Sequence, residues 1–321
     1  MNLLQLIQNL SSEEKSKLIQ LLQSESNTTN ENLTESRFSN GLFCPKCGCV
    51  ENITKFGFKN GHQRFRCKNC GRVFNEVTNS FLMGTKKNIS IWKKYLECML
   101  NHLPIRKSAI TCGINKTTAF VWRHKILDAL SIKVEREVKL SGVIEVDETF
   151  FNISYKGMRN LPRESHKRGT KASKRGISNE QICVTCAVDR NKNVYGKISN
   201  LGRVKTDDLN RLFRDRIEFD SIICSDSNSA YRKFSDGIGC RHIEIKSDKH
   251  RKGIYHVNHI NAYHSKLKTF LRKFNGVATK FLNNYIVWCS GVMTDIVGLI
   301  KVICEMRYRT FSDRKIIPVF K

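Results

Sequence analysis

The most informative segment of this chain is Val143-Ile-Glu-Val-Asp-Glu-Thr-Phe-Phe151. Its residues alternate between apolar and polar and are rich in β-branched and aromatic side chains, a pattern that predicts a β-strand. Asp147 lies near the end of the predicted strand, among residues that suit a protein core. Because an unpaired buried charge is costly, we expect this carboxylate to have a metal ion or a basic side chain as its partner.

A second segment of the same kind is Ser221-Ile-Ile-Cys-Ser-Asp226, a short apolar strand that ends in an aspartate. Two strands that place aspartates at the same end of a sheet suit a two-metal phosphoryl-transfer site, in which carboxylates hold divalent cations about 3.5–4 Å apart. The alternative is that each aspartate caps the turn or helix that follows it. The two strands alone leave both interpretations open.

The composition indicates a folded protein with a polyanionic partner. The chain has 321 residues, enough for two or three domains, and 40% of them are hydrophobic. Its net charge of +27 indicates a partner such as nucleic acid or an anionic membrane surface. The longest apolar run, residues 285–304, is interrupted by Asp295 and Lys301. It therefore predicts a buried helix rather than a membrane span.

The cysteines predict a metal site in a reducing compartment. There are thirteen of them, and the chain starts without a signal-peptide pattern, so we expect a cytoplasmic protein with reduced cysteines. Nineteen residues separate the pair Cys44 and Cys47 from the pair Cys67 and Cys70, which is the spacing of a Cys₄ zinc site. Each pair forms a turn that aims two thiolates at one point, and tetrahedral zinc needs two such turns. Cys49 lies too close to Cys47 to be a natural alternative ligand.

A third Cys-x-x-Cys motif, Cys183 to Cys186, falls on a predicted strand of residues 181–188, which forms a hairpin with residues 193–199. An offset of three places two side chains on opposite faces of a strand. We therefore interpret both cysteines as core residues and not as metal ligands.

Residues 105–126 predict a helix-turn-helix. A short helix, a turn that contains Gly113 and a second helix capped near Asn115 follow one another. Base edges are usually contacted by the N-terminal end of the second helix. The alternative is an ordinary helical hairpin. The candidate DNA-binding residues of this helix are Lys116, Thr117, Thr118 and Arg123.

Further basic residues follow the strand that contains Asp147. Residues 156–176 hold eight basic side chains and one acid, Glu164, which makes contact with a phosphate backbone plausible, although such a run is often only a solvated loop. The candidate contacts in this segment are Lys167, Arg168, Lys171, Lys174 and Arg175.

Two other segments complete the chain. Residues 1–22 carry two helical patterns, suited either to self-association or to packing on the body, and residues 23–41 predict a linker. A later helix places four polar side chains on one face, which is either exposed to solvent or completes the site of the aspartates. These residues are Asn258, Asn261, Ser265 and Lys268.

The order of these features resembles the IS1595 family of bacterial insertion-sequence transposases, which have an ISXO2-like catalytic domain with an RNase H-like fold. The resemblance covers residues 43–285 and rests on five motifs. These are Cys44-Pro-x-Cys47, Arg66-Cys-x-x-Cys-Gly-x-x-Phe74, Glu145-Val-Asp-Glu-Thr149, Ser225-Asp226 and Asn258-x-x-Asn261-x-x-x-Ser265-x-x-Lys268.

The resemblance implies an Asp-Asp-Asn-Lys active site. Asp147 and Asp226 would hold two Mg²⁺ or Mn²⁺ ions, with Asn261, 35 residues after Asp226, as the third metal-binding residue. Lys268 would contact the phosphate. An amide is a weaker ligand than a carboxylate for such ions, and His264 is a competitor for the third position.

The resemblance also implies the function and the partners. The chain is expected to be a DNA transposase that cleaves element ends and joins them to target DNA, with one structural Zn²⁺. Its partners would be double-stranded DNA and further copies of itself, in the cytoplasm at the nucleoid, with no membrane. Glu148 would support the site or add a ligand. The alternatives are a catalytically inactive DNA-binding protein derived from a transposase, and a nuclease that performs no strand transfer.

The expected architecture is multidomain α/β. Its regions are an N-terminal helical segment and linker (1–41), a zinc ribbon (42–82), a helix-turn-helix (86–137), an RNase H-like catalytic domain with a mixed sheet and flanking helices (140–285) and a C-terminal helical extension (286–321).

Overall fold

A computed structural model describes residues 37–38, 41–59, 61–79, 82–162, 164, 174, 176–246 and 251–291. The N-terminal helical pair, most of the predicted linker and most of the C-terminal extension lie outside these residues. The chain divides into two compact units. Among the described residues, the first includes those up to Leu103 and Ser108–Asn115, and the second includes Pro104–Lys107 and those from Lys116 to Gly291. Because the predicted 86–137 region falls in both units, the domain boundaries stay predictions.

The first unit contains the predicted ribbon. Strands β1 (Ile53–Lys59), β2 (His62–Cys67) and β3 (Val73–Phe74) form an antiparallel sheet in that order. Its small core consists of Cys44, Phe65, Cys67 and Phe74. A core of this size cannot stabilise a sheet by apolar burial alone, so this ribbon depends on another source of stability.

Three helices follow the ribbon in the sequence. They are α1 (Ile89–Leu100), α2 (Ile105–Thr111) and α3 (Lys116–Glu137). The side chain of Asn88 caps α1 by accepting the N–H of Ser90 at 3.1 Å. Between α2 and α3 Gly113 has a φ of +59°, which favours glycine. The predicted helices and turn are therefore present, while their use as a DNA-reading motif stays a prediction.

The second unit is built on a five-stranded mixed sheet. Its strands are β4 (Val143–Asn152), β5 (Gln181–Asp189), β6 (Val194–Leu201), β7 (Ile222–Ser225) and β8 (Arg241–Glu244), in the order β6-β5-β4-β7-β8. The pairs β4–β5 and β5–β6 are antiparallel, as the predicted hairpin requires, and β4–β7 and β7–β8 are parallel. Strand β4 is therefore central, with one antiparallel and one parallel neighbour.

Helices pack on this sheet and on one another. Helices α4 (Thr206–Phe213) and α5 (Ser229–Gly237) contact each other, and they contact β6 and β8 respectively. A two-stranded ribbon, β9 (Arg251–Lys252) and β10 (Tyr255–His256), leads into α6 (Asn258–Arg272), which packs on β4 and β5. A 3₁₀ turn (Thr279–Phe281) leads into α7 (Leu282–Cys289), which packs on β6 and α3.

The position of Asp147 differs from the sequence prediction. Strand β4 continues for five residues beyond it, to Asn152, so Asp147 lies in the middle of the strand and not near its end. The strand is longer because β5 pairs with it as far as Asn152, whereas β7 pairs with it only as far as Glu145. Asp147 therefore lies near the point where β4 stops pairing with β7, although it does not lie near the end of β4 itself.

The two cysteines of β5 lie in the core, as predicted. Cys183 and Cys186 are both fully buried. Cys186 pairs with Asp147, and Cys183 pairs with Phe150, an odd number of residues away, so the two thiols face opposite sides of the sheet. Among the described residues, no helix combines the length and the hydrophobicity that a membrane crossing would require.

Candidate active site

The strand register brings Asp147 and Asp226 to the same level of the sheet. The last parallel pair between β4 and β7 is Glu145 with Cys224. Asp147 and Asp226 each lie two residues beyond that pair, on adjacent strands that run in the same direction. β7 ends at Ser225, so Asp226 is the first residue after the strand. The predicted pair of aspartates at one edge thus arises from the parallel register.

The electrostatics of Asp147 show that these carboxylates influence each other. Burial, together with the negative charge of Asp226, raises the pKa of Asp147 to about 6. Lys268 of α6 acts in the opposite direction and lowers the pKa. Asp147 therefore lies in a place where a negative charge is unfavourable and a nearby cation relieves it.

Glu148 is the third acidic residue of this region, and it lies on the other face of β4. Burial, together with the negative charges of Asp147 and Asp226, raises its pKa to about 8. The hydroxyl of Tyr231, a buried residue of α5, is close enough to lower this pKa, although it makes no hydrogen bond of standard geometry. Consecutive residues of a strand face opposite sides. This arrangement suits a supporting role better than direct ligation beside Asp147.

Helix α6 turns His264 toward Asp147. The imidazole Nδ1 of His264 lies 3.6 Å from Oδ2 of Asp147, and its buried Nε2 has no hydrogen-bond partner. Burial, with help from Lys268, lowers the pKa of His264 to about 4. The ring is therefore neutral at physiological pH and has a free ring nitrogen, which is the form that binds metals.

The predicted polar stripe of α6 is exposed to solvent. Asn258, Asn261, Ser265 and Lys268 are all exposed. No hydrogen bond joins the side-chain amide of Asn261 to another described residue, while Lys268 lies close enough to shift the pKa of Asp147. The structure thus brings Asp147, Asp226 and Lys268 together with His264, and the role of Asn261 stays a prediction.

The residues present fit divalent cations in their chemistry. Ionised carboxylates and a neutral imidazole are the ligands that such ions take, and the raised pKa values report a deficit of positive charge. Among the described residues, Asp147, Asp226 and His264 do not form a group of three whose ligand atoms all lie within 4.8 Å of one another.

The four cysteines of the ribbon form a more complete ligand set. The Sγ atoms of Cys44, Cys47, Cys67 and Cys70 lie within 4.8 Å of one another, with Cys44 3.6 Å from Cys70 and Cys47 3.7 Å from Cys67. Cys49 instead lies 2.7 Å from the carbonyl oxygen of Glu51. The set could hold one Zn²⁺, as the spacing predicts.

Backbone geometry prepares these cysteines for metal binding. Gly48 and Gly71 have φ values of +74° and +69°, and each donates its N–H at 2.9 Å to the carbonyl of the first cysteine of its pair. Burial opposes ionisation of Cys44, but the backbone N–H groups of Cys47 and Lys46 outweigh it and lower the pKa of this thiol to about 7. The pKa of Cys67 is lowered in a similar way, whereas that of Cys47 is raised to about 12. One thiolate in each pair is therefore favoured.

The structure tests the candidate DNA-binding residues unequally. Lys116 and Thr117 are exposed in the first turn of α3, and Thr118 is half-buried. Lys174 is exposed. The other basic candidates of that segment lie outside the described residues: Lys167, Arg168, Lys171 and Arg175.

Arg123 is a correction. Its side chain is fully buried, and its guanidinium lies over the rings of Phe274 and Trp288, at 5.6 and 5.0 Å from their centroids. An arginine enclosed in this way cannot reach DNA. The sequence prediction was wrong because α3 is buried along much of its length, including Trp122 and Leu127.

A family model described as an ISXO2-like transposase domain matches residues 139–287. This domain belongs to the IS1595 family of transposases. The transposase domain contains the whole five-stranded sheet and all four residues of the Asp-Asp-Asn-Lys set. The match confirms the resemblance stated from the sequence motifs for residues 139–287.

Other proteins show weaker similarity to this chain. A protein of Halobacterium salinarum, described as an uncharacterized protein in transposable element ISH50, is 25% identical over 263 residues, which cover 79% of this chain and 86% of that protein. Among solved structures, a simian T-cell lymphotropic virus intasome in complex with PP2A regulatory subunit B56 gamma has a TM-score of 0.30 at 12% identity and covers 61% of this chain and 67% of that one. A pre-cleavage Mos1 transpososome has a TM-score of 0.21 at 10% identity, with coverages of 67% and 78%. Likenesses this weak support no conclusion about this chain.

Proposed function

We propose that this protein is a DNA transposase that cleaves the ends of its element and transfers them into target DNA. The observation that carries the proposal is the parallel register of β4 and β7 within the transposase domain, because Asp147 and Asp226 each lie two residues beyond the last pair of this register. The strand order, with β4 between an antiparallel hairpin and a parallel strand, supports an RNase H-like core.

Asp147 and Asp226 would bind two Mg²⁺ or Mn²⁺ ions, with Asn261 or His264 of α6 as a further ligand. When bound, these ions activate a water or a DNA 3′-hydroxyl and stabilise the leaving oxygen during in-line attack on a phosphodiester. Lys268 would bind the phosphate beside the site, because its charge already acts on Asp147. Glu148, on the opposite face of β4, would help to hold Asp147 in place.

The remaining parts would bind DNA. The Cys₄ set would hold one structural Zn²⁺ and stabilise the ribbon, whose apolar core is small. The exposed first turn of α3 and the basic residues around Lys174 would contact the terminal repeats and the phosphate backbone, in keeping with the net charge of +27. Joining two ends requires more than one copy, so we propose a homo-oligomer on cytoplasmic, nucleoid DNA.

The test uses DNA that carries the two ends flanking the gene, with Mg²⁺ or Mn²⁺. We expect wild type to give end-specific cleavage and strand-transfer products, and Asp147→Ala and Asp226→Ala to reduce both by at least about 10³-fold, because several kcal/mol of transition-state stabilisation depend on the bound ions. Asp220→Asn is a matched control, since Asp220 is exposed and its φ of +63° is one that asparagine accepts. Specific binding of the ends without any cleavage by wild type would contradict the proposal.

The second candidate is a DNA-binding protein that has lost catalysis. The observation in its favour is the exposed Asn261, an amide where a carboxylate would bind metal more strongly. The same assay separates the two functions, because an inactive protein would bind the ends with equal affinity whether or not Asp147 is replaced and would release no products.

A further inference from the structure

The transposase domain contains a second cluster of charged residues, built around Glu145. This carboxylate is 1% exposed, and it lies on β4 two residues before Asp147, on the same face of the sheet. Nothing in the proposed chemistry uses it. A buried carboxylate that takes no part in chemistry needs several compensating partners, and those partners indicate what it does.

The first partners of Glu145 are backbone groups of α6. The N–H groups of His259 and Ile260 donate to its Oε2 at 2.8 and 3.0 Å. The N-cap residue of the helix is Val257, whose side chain cannot accept a hydrogen bond. The first N–H groups of a helix have no partner within the helix. Glu145 therefore caps α6 from a strand more than a hundred residues earlier in the sequence.

The other oxygen of Glu145 lies within a group of basic side chains. Its Oε1 is 3.0 Å from Nη1 of Arg190, 2.7 Å from Nδ1 of His259 and 3.1 Å from Nδ1 of His256. Arg190 belongs to the turn between β5 and β6, and its Nη2 also donates to the carbonyl of Ile254. Glu145 thus connects the central strand, the hairpin turn and the start of α6.

The spacing of strand and helix makes this cap relevant to Asp147. Two residues along β4 advance about 6.8 Å, and four residues along α6 advance about 6 Å. A helix held at His259 and Ile260 by Glu145 therefore presents His264 to Asp147, which matches the observed 3.6 Å contact. Lys268 follows one turn later and acts on the same carboxylate.

We propose that Glu145 is a positioning residue, which caps α6 and thereby fixes His264 and Lys268 beside Asp147. This inference rests on the proposed function for its catalytic consequence, but not for the structural link itself. Ile260, Tyr263 and Leu267 also pack α6 onto the sheet. Loss of the cap is therefore expected to displace the start of the helix and not to unfold the domain.

A metal site is the competing explanation of the same cluster. Ligand atoms of Glu145, His256 and His259 lie within 4.8 Å of one another. However, Nη1 of Arg190 lies 3.0 Å from His256 and 2.7 Å from His259, as well as 3.0 Å from Glu145. A guanidinium already occupies the centre where a metal ion would bind, so the geometry favours a salt-bridged cap.

The first experiment measures amide hydrogen exchange of residues 258–262 in the full chain without DNA. We expect Glu145→Ala to speed exchange at His259 and Ile260 by at least about tenfold, because the acceptor of both N–H groups is removed. Glu145→Gln is expected to keep most of the protection, since its carbonyl oxygen can replace Oε2. The control is Glu135→Ala, which removes a glutamate that joins α3 to Lys197 of β6 at 2.7 Å and should leave exchange in α6 unchanged.

The second experiment measures single-turnover cleavage of end DNA at saturating protein. Glu145→Ala is expected to slow cleavage by about 100-fold with the Kd for DNA unchanged, and Glu145→Gln to restore the rate to within about tenfold of wild type. A merely structural defect would lower the amount of active protein equally in binding and in cleavage, and the glutamine variant would not rescue it. If Glu145→Ala does not fold, Glu145→Asp replaces it, because the side chain keeps its charge but is one methylene too short to cap.

Three results would overturn the inference. These are exchange in Glu145→Ala equal to that of the control, failure of Glu145→Gln to protect α6, and binding of a divalent ion (Zn²⁺ or Mn²⁺, titrated alone) that Glu145→Gln or His256→Ala abolishes while Asp147→Ala does not. The last result would identify the cluster as a metal site. Hydrogen exchange needs no activity, so it decides the structural link even if wild type cleaves no DNA and the proposed function fails.

Discussion

The two candidate metal centres of this chain are assembled in opposite ways. The Cys₄ set comes from two short turns within 27 residues of sequence, and its four Sγ atoms already lie within 4.8 Å of one another. The aspartate centre takes its residues from β4, the end of β7 and α6, and among the described residues no three of its ligand atoms all lie within that distance of one another. The difference shows that side chains from two neighbouring turns can lie close together without an ion, whereas the arrangement of side chains from distant elements depends on how those elements are held.

The largest expected effect concerns the zinc ribbon. Cys67→Ser should abolish zinc binding and unfold the ribbon, because structural zinc supplies roughly 10–16 kcal/mol of apparent binding free energy to small domains. Zinc content by atomic absorption should fall from one ion per chain to nearly none, while the transposase domain keeps its thermal transition.

Cys49→Ser is the matched control for this prediction. Cys49 lies two residues after Cys47 but contacts Glu51 and Asn69 and is not part of the four-thiol set. Its replacement should leave the zinc content unchanged. If both serine variants lost zinc equally, the prediction that Cys67 binds zinc and Cys49 does not would be wrong.

A smaller effect is expected on α6, where two residues compete for the third position. Asn261→Ala should slow end cleavage by about 100-fold and raise the Mn²⁺ concentration needed for half-maximal rate, and His264→Ala should slow it by about tenfold. Asn261→Glu should lower the Mn²⁺ requirement, because a carboxylate binds a hard cation more tightly than an amide.

Titration of the rate with Mn²⁺ for each variant decides between these residues. A larger loss in His264→Ala than in Asn261→Ala would reverse the assignment and make the buried imidazole the ligand. Ser265→Ala is the control, since Ser265 is exposed on the same helix.

The smallest effect is on stability as a function of pH. The pKa values of Asp147 and Glu148 are raised in the folded state to about 6 and about 8. These two carboxyl groups bind more protons in the folded protein than in the unfolded chain, whereas His264, whose pKa is lowered to about 4, binds fewer and offsets part of this difference below about pH 6.5. The free energy of unfolding without metal should therefore fall most clearly as the pH rises from about 6.5 to 8, the range in which only Glu148 of the three changes its charge.

Divalent ions should offset this loss. Saturating Mn²⁺ is expected to raise the Tm of the transposase domain by about 4–8 °C at pH 8 and by less at pH 6, since the ion binds the ionised carboxylates. Differential scanning calorimetry of wild type and Asp147→Asn measures the effect. A rise of the same size in the asparagine variant would show that the ion binds elsewhere.

Much of this arrangement could be predicted because it is local in sequence. The Cys-x-x-Cys turns, the alternating strand of Asp147 and the hairpin that begins at Gln181 each depend on residues close to one another. The family motifs then predicted Asp147 and Asp226 as partners in one site, and the register of β4 and β7 brings them to the same level of the sheet.

What could not be predicted depends on tertiary packing. Nothing in the sequence near Arg123 shows that Phe274 and Trp288 enclose it. Likewise, Glu145 was recognised only as part of a motif, because its partners Arg190 and His259 lie 45 and 114 residues away. The sequence predicted His264 only as a competitor for the third metal-binding position. A sequence shows which polar residues of a helix share one face, but it does not show that His264 is buried beside Asp147.

The order of the ribbon and the aspartate centre along the sequence has a consequence for the protein as it is synthesised. The last cysteine of the ribbon is Cys70, whereas the domain that would cut DNA needs residues as far as Lys268, about 200 residues later. At typical rates of translation this interval lasts about 10–40 s. Throughout that interval a nascent chain can already have folded its ribbon, while the residues of the aspartate centre have not all been synthesised.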